Sequence, residues 1–104
     1  MAFTARHNIT TVLTQNLVAA GDNAGDIKSV HLANIHASDS VNVDLIINNR
    51  GVDHYIIKNV AIPSGTALVV DTSEIVINTT SGQDSLRIKL SAAVPVDVII
   101  NNRK

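Results

Sequence analysis

The sequence predicts a single all-β domain, an antiparallel β-sandwich or jelly-roll of about seven to eight strands. Short runs of alternating apolar and polar residues, bounded by turn residues, recur along the whole chain. The apolar residues are mostly Val and Ile, whose branched Cβ atoms suit a pleated surface. No window combines a helical period with helix caps. The 104 residues are enough for one domain and not for two.

The alternation and the turn residues place the strands along the chain. Pro63-Ser64-Gly65 is the clearest turn, because proline fixes φ and glycine adopts positive φ. We expect residues 1–20 to form an N-terminal arm or an edge strand, and residues 21–104 to form the sandwich domain. The last two strands look like a hairpin around residues 92–95. The expected strands are 9–19, 27–34, 41–48, 54–62, 66–71, 74–78, 84–91 and 96–101.

One segment of eight residues occurs twice. Val43 to Arg50 reads VDLIINNR and Val96 to Arg103 reads VDVIINNR, so that only Leu45 and Val98 differ. The strands that precede the two copies match loosely. Two interpretations remain open: β-sequences reuse a small alphabet, or the chain contains two pseudo-equivalent hairpins, one in each half.

The composition excludes several classes of protein. Charged residues make up 16% of the chain, the net charge is −1, and the only aromatic residues are Phe3 and Tyr55. Nucleic-acid binding needs clustered basic residues or stacking aromatics, and so we expect none. The absence of cysteine excludes disulfides and thiolate-bound zinc. The apolar runs are strand-length and the N-terminus has no secretory h-region, which predicts a soluble protein without membrane contact.

Candidate chemistry is sparse. The histidines at 7, 31, 36 and 54 lack the paired spacing of a zinc site. The segment from Asp22 to Asp26 lacks the distal glutamate of a calcium loop. No nucleophile elbow, phosphate-binding loop or HExxH motif occurs. We therefore expect no enzyme and no catalytic, cofactor-binding or metal-binding residue.

Apolar residues on both faces of several strands indicate an interface. Ile46 stands between Asp44 and Asn48, and the repeat places Ile99 in the same setting. Ile56 and Val69 belong to apolar doublets that break the alternation expected of a free sandwich. Sheets also tolerate scattered exposed isoleucines. We expect Ile46, Ile99, Ile56 and Val69 to form a possible interface, and the protein to be a homo-oligomer, a trimer.

A tyrosine, hydrophobic pair and proline turn is followed by a Gly-x-Asp-Ser-Leu-Arg-hydrophobic-Lys strand. The stretches concerned are Tyr55 to Pro63, Leu68 to Asp71, Gly82 to Ala93 and Val96 to Val98. Through these stretches, residues 27–100 resemble a group of small virion structural proteins of tailed bacteriophages. The resemblance implies a β-sandwich or jelly-roll subunit that decorates or joins parts of a particle, and it implies no catalytic or ligand-binding residue.

The expected function is that of a non-enzymatic virion structural protein, made in the host cytoplasm. The first form of this hypothesis is a capsid decoration (cement) protein that binds the major capsid protein and stabilises the head lattice. The second is a component of the tail, baseplate or neck, in contact with other virion proteins. The third is a stand-alone carbohydrate-binding module, for which Tyr55 is the one plausible stacking residue.

Overall fold

A computed structural model describes residues 5–19, 21, 26–72, 75, 77, 79 and 83–103. Within these residues the chain forms eight strands and no helix, and the strands build two antiparallel sheets. The predicted all-β sandwich is therefore confirmed. The strands are β1 (Ala5–Ile9), β2 (Gln15–Val18), β3 (Asp26–Asn34), β4 (Val41–Asn49), β5 (Val52–Ile62), β6 (Ala67–Asp71), β7 (Asp84–Leu90) and β8 (Val96–Arg103).

The two sheets have four strands each. The first sheet has the order β1-β8-β3-β6, and the second has the order β2-β7-β4-β5. Four of the pairs are nested, since β1 pairs with β8, β2 with β7, β3 with β6 and β4 with β5. The pairs β3·β8 and β4·β7 then join the nested pairs into sheets. All but one of these pairs connect strands that are distant in sequence.

The core lies between the two sheets and is built from aliphatic side chains. Alternate residues of each central strand point inward, as the period of two requires. Burying one such side chain stabilises the fold by about 1.5–3 kcal/mol. The central rows, each side chain almost fully buried, are Val41, Val43 and Leu45 on β4, Leu86, Ile88 and Leu90 on β7, and Val96, Val98 and Ile100 on β8.

The repeated segment forms two of the four central strands, β8 in the first sheet and β4 in the second. The loosely matching strands β7 and β3 lie beside them, so that the two halves occupy equivalent places. They are not hairpins, because β3 and β4 belong to different sheets. The hairpin expected between β7 and β8 is wrong for the same reason: residues 91–95 cross between the sheets. Alternation reports which face of a strand is buried and not which strand lies next to it.

The segment expected to be one strand at 9–19 is divided. β1 lies at the edge of the first sheet and β2 at the edge of the second, with residues 10–14 between them. Ile9, Leu17 and Val18 are buried in the common core. The strand expected at 74–78 lies largely outside the described residues. The described residues Ile75 and Ile77 are not in a strand, and Ile77 packs into the core.

Asn34 fastens the loops at one end of the sandwich. Its side chain is 1% exposed, and Nδ2 donates to the carbonyl oxygens of Asp39 and Ile62, each at 2.9 Å. Its Oδ1 accepts from the backbone N–H of His36 at 3.0 Å. The Asn34 backbone also exchanges two hydrogen bonds with the turn at residues 63–66. One buried amide therefore holds the β3–β4 loop against the β5–β6 turn.

We predict that Asn34→Ala lowers the free energy of unfolding by about 2–4 kcal/mol, because it leaves buried backbone groups without partners. Denaturant unfolding followed by circular dichroism measures this. Asn8→Ala is the matched control, since Asn8 is exposed and donates a single hydrogen bond, to Asp97 at 2.7 Å. Equal losses in the two variants would contradict the role given to Asn34.

Candidate interaction surfaces

The outer face of the first sheet carries an apolar strip. Cross-strand register places Ile99 of β8, His31 of β3 and Val69 of β6 side by side in one row. Residues that lie directly opposite each other share a face of the sheet. Ala33 and Ala67 form the adjacent row on the same face. We call these five residues the outer strip; Val69, at 59% exposure, is its most exposed large side chain.

His31 sits in the middle of the outer strip. Its side chain is half-buried, and its Nδ1 atom is buried with no hydrogen-bond partner. By register its neighbours on the two adjoining strands are Ile99 and Val69, neither of which has a polar side-chain atom. Charged residues border the strip by register: Asp97 lies opposite Ala33, Asp71 lies opposite Ser29 in the row on the other side of His31, and Arg6 lies opposite Ile99. The five residues of the strip itself are apolar apart from His31.

The outer face of the second sheet is polar, and Ile46 is covered on it. By register Ile46 lies between Arg87 and Tyr55 on this face, yet it is only 2% exposed. Arg and Tyr side chains are long enough to cover a central isoleucine with their apolar parts. Ile46 faces outward but is not open to a partner in the single chain. The other residues that the register places on this face are polar apart from Ala61: Asn16, Asn42, Asp44, Asn48, Asp53, Ser85 and Lys89.

Ile56 reaches the core because β5 is bulged. Ile57 pairs with Leu45, and Tyr55 pairs with the next residue of β4, which leaves Ile56 without a partner of its own. Such a bulge breaks the alternation, so that two consecutive side chains turn toward one side. Both Ile56 and Ile57 pack against the core cluster. The apolar doublet in the sequence thus marks a bulge at this strand, whereas in β6 it leaves Val69 exposed.

Exposed apolar residues also gather at one end of the sandwich. Ile9 and Asn34 both pair with Val96, which places the loops at residues 10–14, 35–40, 63–66 and 91–95 at the same end. A backbone hydrogen bond of 3.2 Å from Ile35 to Pro95 joins two of these loops. Asp39 is their only acidic or basic residue apart from a histidine. Three large apolar side chains are exposed there: Val12 (45%), Leu13 (70%) and Ile35 (51%).

We call this region the apolar end, formed by the four loops. The sequence interpretation missed it because it assigned residues 9–19 to one strand. The available signal was Val12-Leu13 between threonines, an apolar pair that breaks the alternation just before β2. Scattered exposed hydrophobic residues need no explanation, but several of them on almost uncharged loops at one end of a domain are typical of an interaction site.

The histidines lie on separate elements. His7 belongs to β1, His31 to β3 and His54 to β5, whereas His36 stabilises its own loop. The Nδ1 atom of His36 accepts from the backbone N–H groups of Ser38 (3.1 Å) and Asp39 (2.9 Å). The part of the chain that the structure describes contains no group of three or more possible metal ligands. The candidate calcium loop from Asp22 to Asp26 lies outside it, except for Asp26, which is the first residue of β3.

Tyr55 is paired with a cation. Its ring is half-exposed on the outer face of the second sheet, and the Nζ atom of Lys58 lies 4.8 Å from the ring centroid. This is a cation–π contact. A shallow polar depression is present on the same sheet, but Tyr55 does not line it. Within the depression, Asn59 donates to Asp44 through its backbone (2.6 Å), and Asn42 donates to Asn59 (2.9 Å). Its polar groups thus bond to each other.

Comparison with family models, with curated proteins and with solved structures finds no match to this chain. Among the described residues, no helix is long and apolar enough to cross a membrane.

We predict that Ile46→Asp lowers the free energy of unfolding by more than about 3 kcal/mol, because it places an unpaired charge at a covered position. Val69→Asp is the matched control on the other sheet, and we expect it to cost less than about 1 kcal/mol. Denaturant unfolding of both variants checks this difference. An Ile46→Asp variant as stable as the wild type would show that Ile46 is open to solvent.

Proposed function

We propose that the chain is a non-enzymatic structural protein of a tailed-bacteriophage virion, and that it acts as a capsid decoration (cement) protein on the major capsid protein. The observation that carries the proposal is the apolar end, a group of exposed aliphatic side chains on loops with almost no charge. The virion assignment rests on the sequence resemblance of residues 27–100. The localisation that follows is the assembled particle.

The apolar end has the properties that a docking surface on a lattice needs. Its loops are short and two of them are tied together through Asn34, which reduces the entropy that is lost on binding. Burying one Leu or Ile side chain contributes about 1.5–3 kcal/mol. The binding free energy that such a contact gives one copy is modest. Summed over many copies on one particle, it makes the lattice harder to disrupt.

The topology agrees with this proposal at the level of the fold. The nested pairs β1·β8, β2·β7, β3·β6 and β4·β5 are those of one long antiparallel ribbon folded onto itself. We propose that the sandwich is a jelly-roll, an architecture that occurs in viral capsid and lectin domains. A fold alone does not assign a function. The cation over Tyr55 disfavours the carbohydrate-binding alternative, because sugar rings stack on an open aromatic face.

The proposal predicts how substitutions change particle binding. Particles that lack the protein are prepared, and purified wild type, Leu13→Asp and Ile35→Asp are added back at a series of concentrations. We expect each aspartate variant to bind at least about tenfold more weakly, because it replaces an apolar contact by a charge. Val52→Asp is the control, since Val52 is 55% exposed and lies at the opposite end of the sandwich. It should bind like the wild type.

The same particles separate decoration from the other virion roles. Decoration requires that depleted particles assemble, release their genome at a lower temperature, and regain resistance when the wild-type protein is added. Full heads that never acquire tails would instead assign the protein to the neck or tail. Equal particle binding by the Leu13 and Val52 variants would contradict the role of the apolar end.

A further inference from the structure

We propose that β6 is a self-association edge, through which two copies of the chain pair antiparallel about a twofold axis at Val69. The inference concerns how copies meet each other, and it does not depend on where the protein lies in a particle. An edge that is complementary to itself generates a twofold axis. The inference therefore replaces the trimer expected from the sequence by a dimer.

The four edge strands of the sandwich differ in how open they are. Bulges or irregularities interrupt the pairing of β5 and of β2, and Asn59 within β5 has a φ of 58°. Bulges, Lys, Arg and Pro protect edges against pairing with another chain. The sequence of β1 contains Arg6. β1 and β6 both pair without irregularity, but β6 has the sequence ALVVD, whose only charge stands at its end.

Two residues of β6, Ala67 and Val69, direct backbone hydrogen-bonding groups away from β3 at this edge. The bonds from Asn34 N to Thr66 O (2.9 Å) and from Thr72 N to Lys28 O (3.0 Å) show which residues bond to β3. In an antiparallel ladder alternate residues bond to the same neighbour, which here are the even-numbered residues of β6. Ala67 and Val69 therefore direct their N–H and C=O groups away from β3. Within the described residues, no strand pairs with that side of β6.

The sequence of β6 suits antiparallel pairing with β6 of a second copy. With Val69 opposite Val69 of the second copy, Leu68 lies opposite Val70, and Ala67 lies opposite Asp71. Leu68 and Val70 face the core, so the apolar inner row continues from one copy into the other. Asp71 meets an alanine and not a second aspartate, which avoids the repulsion of directly opposed like charges. A second copy is thus the partner that this edge fits.

The pairing also joins the two outer strips. Each strip ends at Val69, so the apolar row of Ile99, His31 and Val69 would continue into the same row of the second copy. One five-residue edge gives an interface below the size typical of stable complexes. We expect a weak dimer, with a dissociation constant on the order of tens of micromolar. A local concentration as high as that on a lattice would favour it.

A single cysteine tests the register. The chain has no cysteine, so Val69→Cys introduces the only thiol. Directly opposed residues of a hydrogen-bonded pair have Cα atoms about 5.5 Å apart, within the range of a disulfide. Under mild oxidation we expect Val69→Cys to form covalent dimers at least about tenfold faster than Val52→Cys, whose residue is similarly exposed on another edge strand. Equal rates would overturn the proposal.

A second pair of variants tests the edge itself. Val69→Pro removes an N–H that does not bond to β3, and proline is tolerated at such edge positions. We expect it to remain folded by circular dichroism and to be monomeric in sedimentation velocity at all concentrations. Val69→Thr keeps the N–H and the β-branch, and it should dimerise within about threefold of the wild type. A wild-type protein that is monomeric at millimolar concentration, or a trimer, would overturn the proposal. So would a folded Val69→Pro variant that associates like the wild type.

Discussion

The structure depends on the closure of two sheets over a core that is made of aliphatic side chains. The four central strands β8, β3, β7 and β4 each supply a row of inward Val, Ile or Leu, and most of these side chains are almost fully buried. Among the residues that the structure describes, no aromatic side chain belongs to this cluster. Because close packing requires these rows to interlock, the facing of each central strand is fixed. The apolar residues that lie outside this core are then not needed to close the two sheets.

The sequence predicted the parts of the fold that follow from alternation. Val41, Val43 and Leu45 are buried as their spacing requires, and the turn at Pro63 to Gly65 lies between β5 and β6. Neighbouring strands could not be predicted in this way, because a strand that pairs with its sequence neighbour has the same pattern as one that pairs with a distant strand. The alternation therefore does not show that β7 and β8 belong to different sheets.

The candidate contact residues show the same limit. A bulge accounts for the doublet at Ile56, and Ile46 is only 2% exposed although it lies on the outer face of the second sheet. Neither feature leaves a local mark in the sequence. Val69 remains exposed because β6 has no neighbour beyond it. The exposure of Leu13 follows from a loop that the alternation did not reveal. Of the seven large apolar side chains that are exposed among the described residues, four lie in two places: Val12, Leu13 and Ile35 at the apolar end, and Val69 at the edge of the outer strip.

We propose that the apolar end is the surface that contacts the particle. Hydrogen exchange of the particle-bound protein, compared with the free protein, tests this proposal. We expect slower exchange in residues 10–14 and 91–95 on binding, and unchanged exchange in the β4–β5 turn at the opposite end. Slower exchange confined to that turn or to β5, with the loops of the apolar end unchanged, would show that another surface contacts the particle.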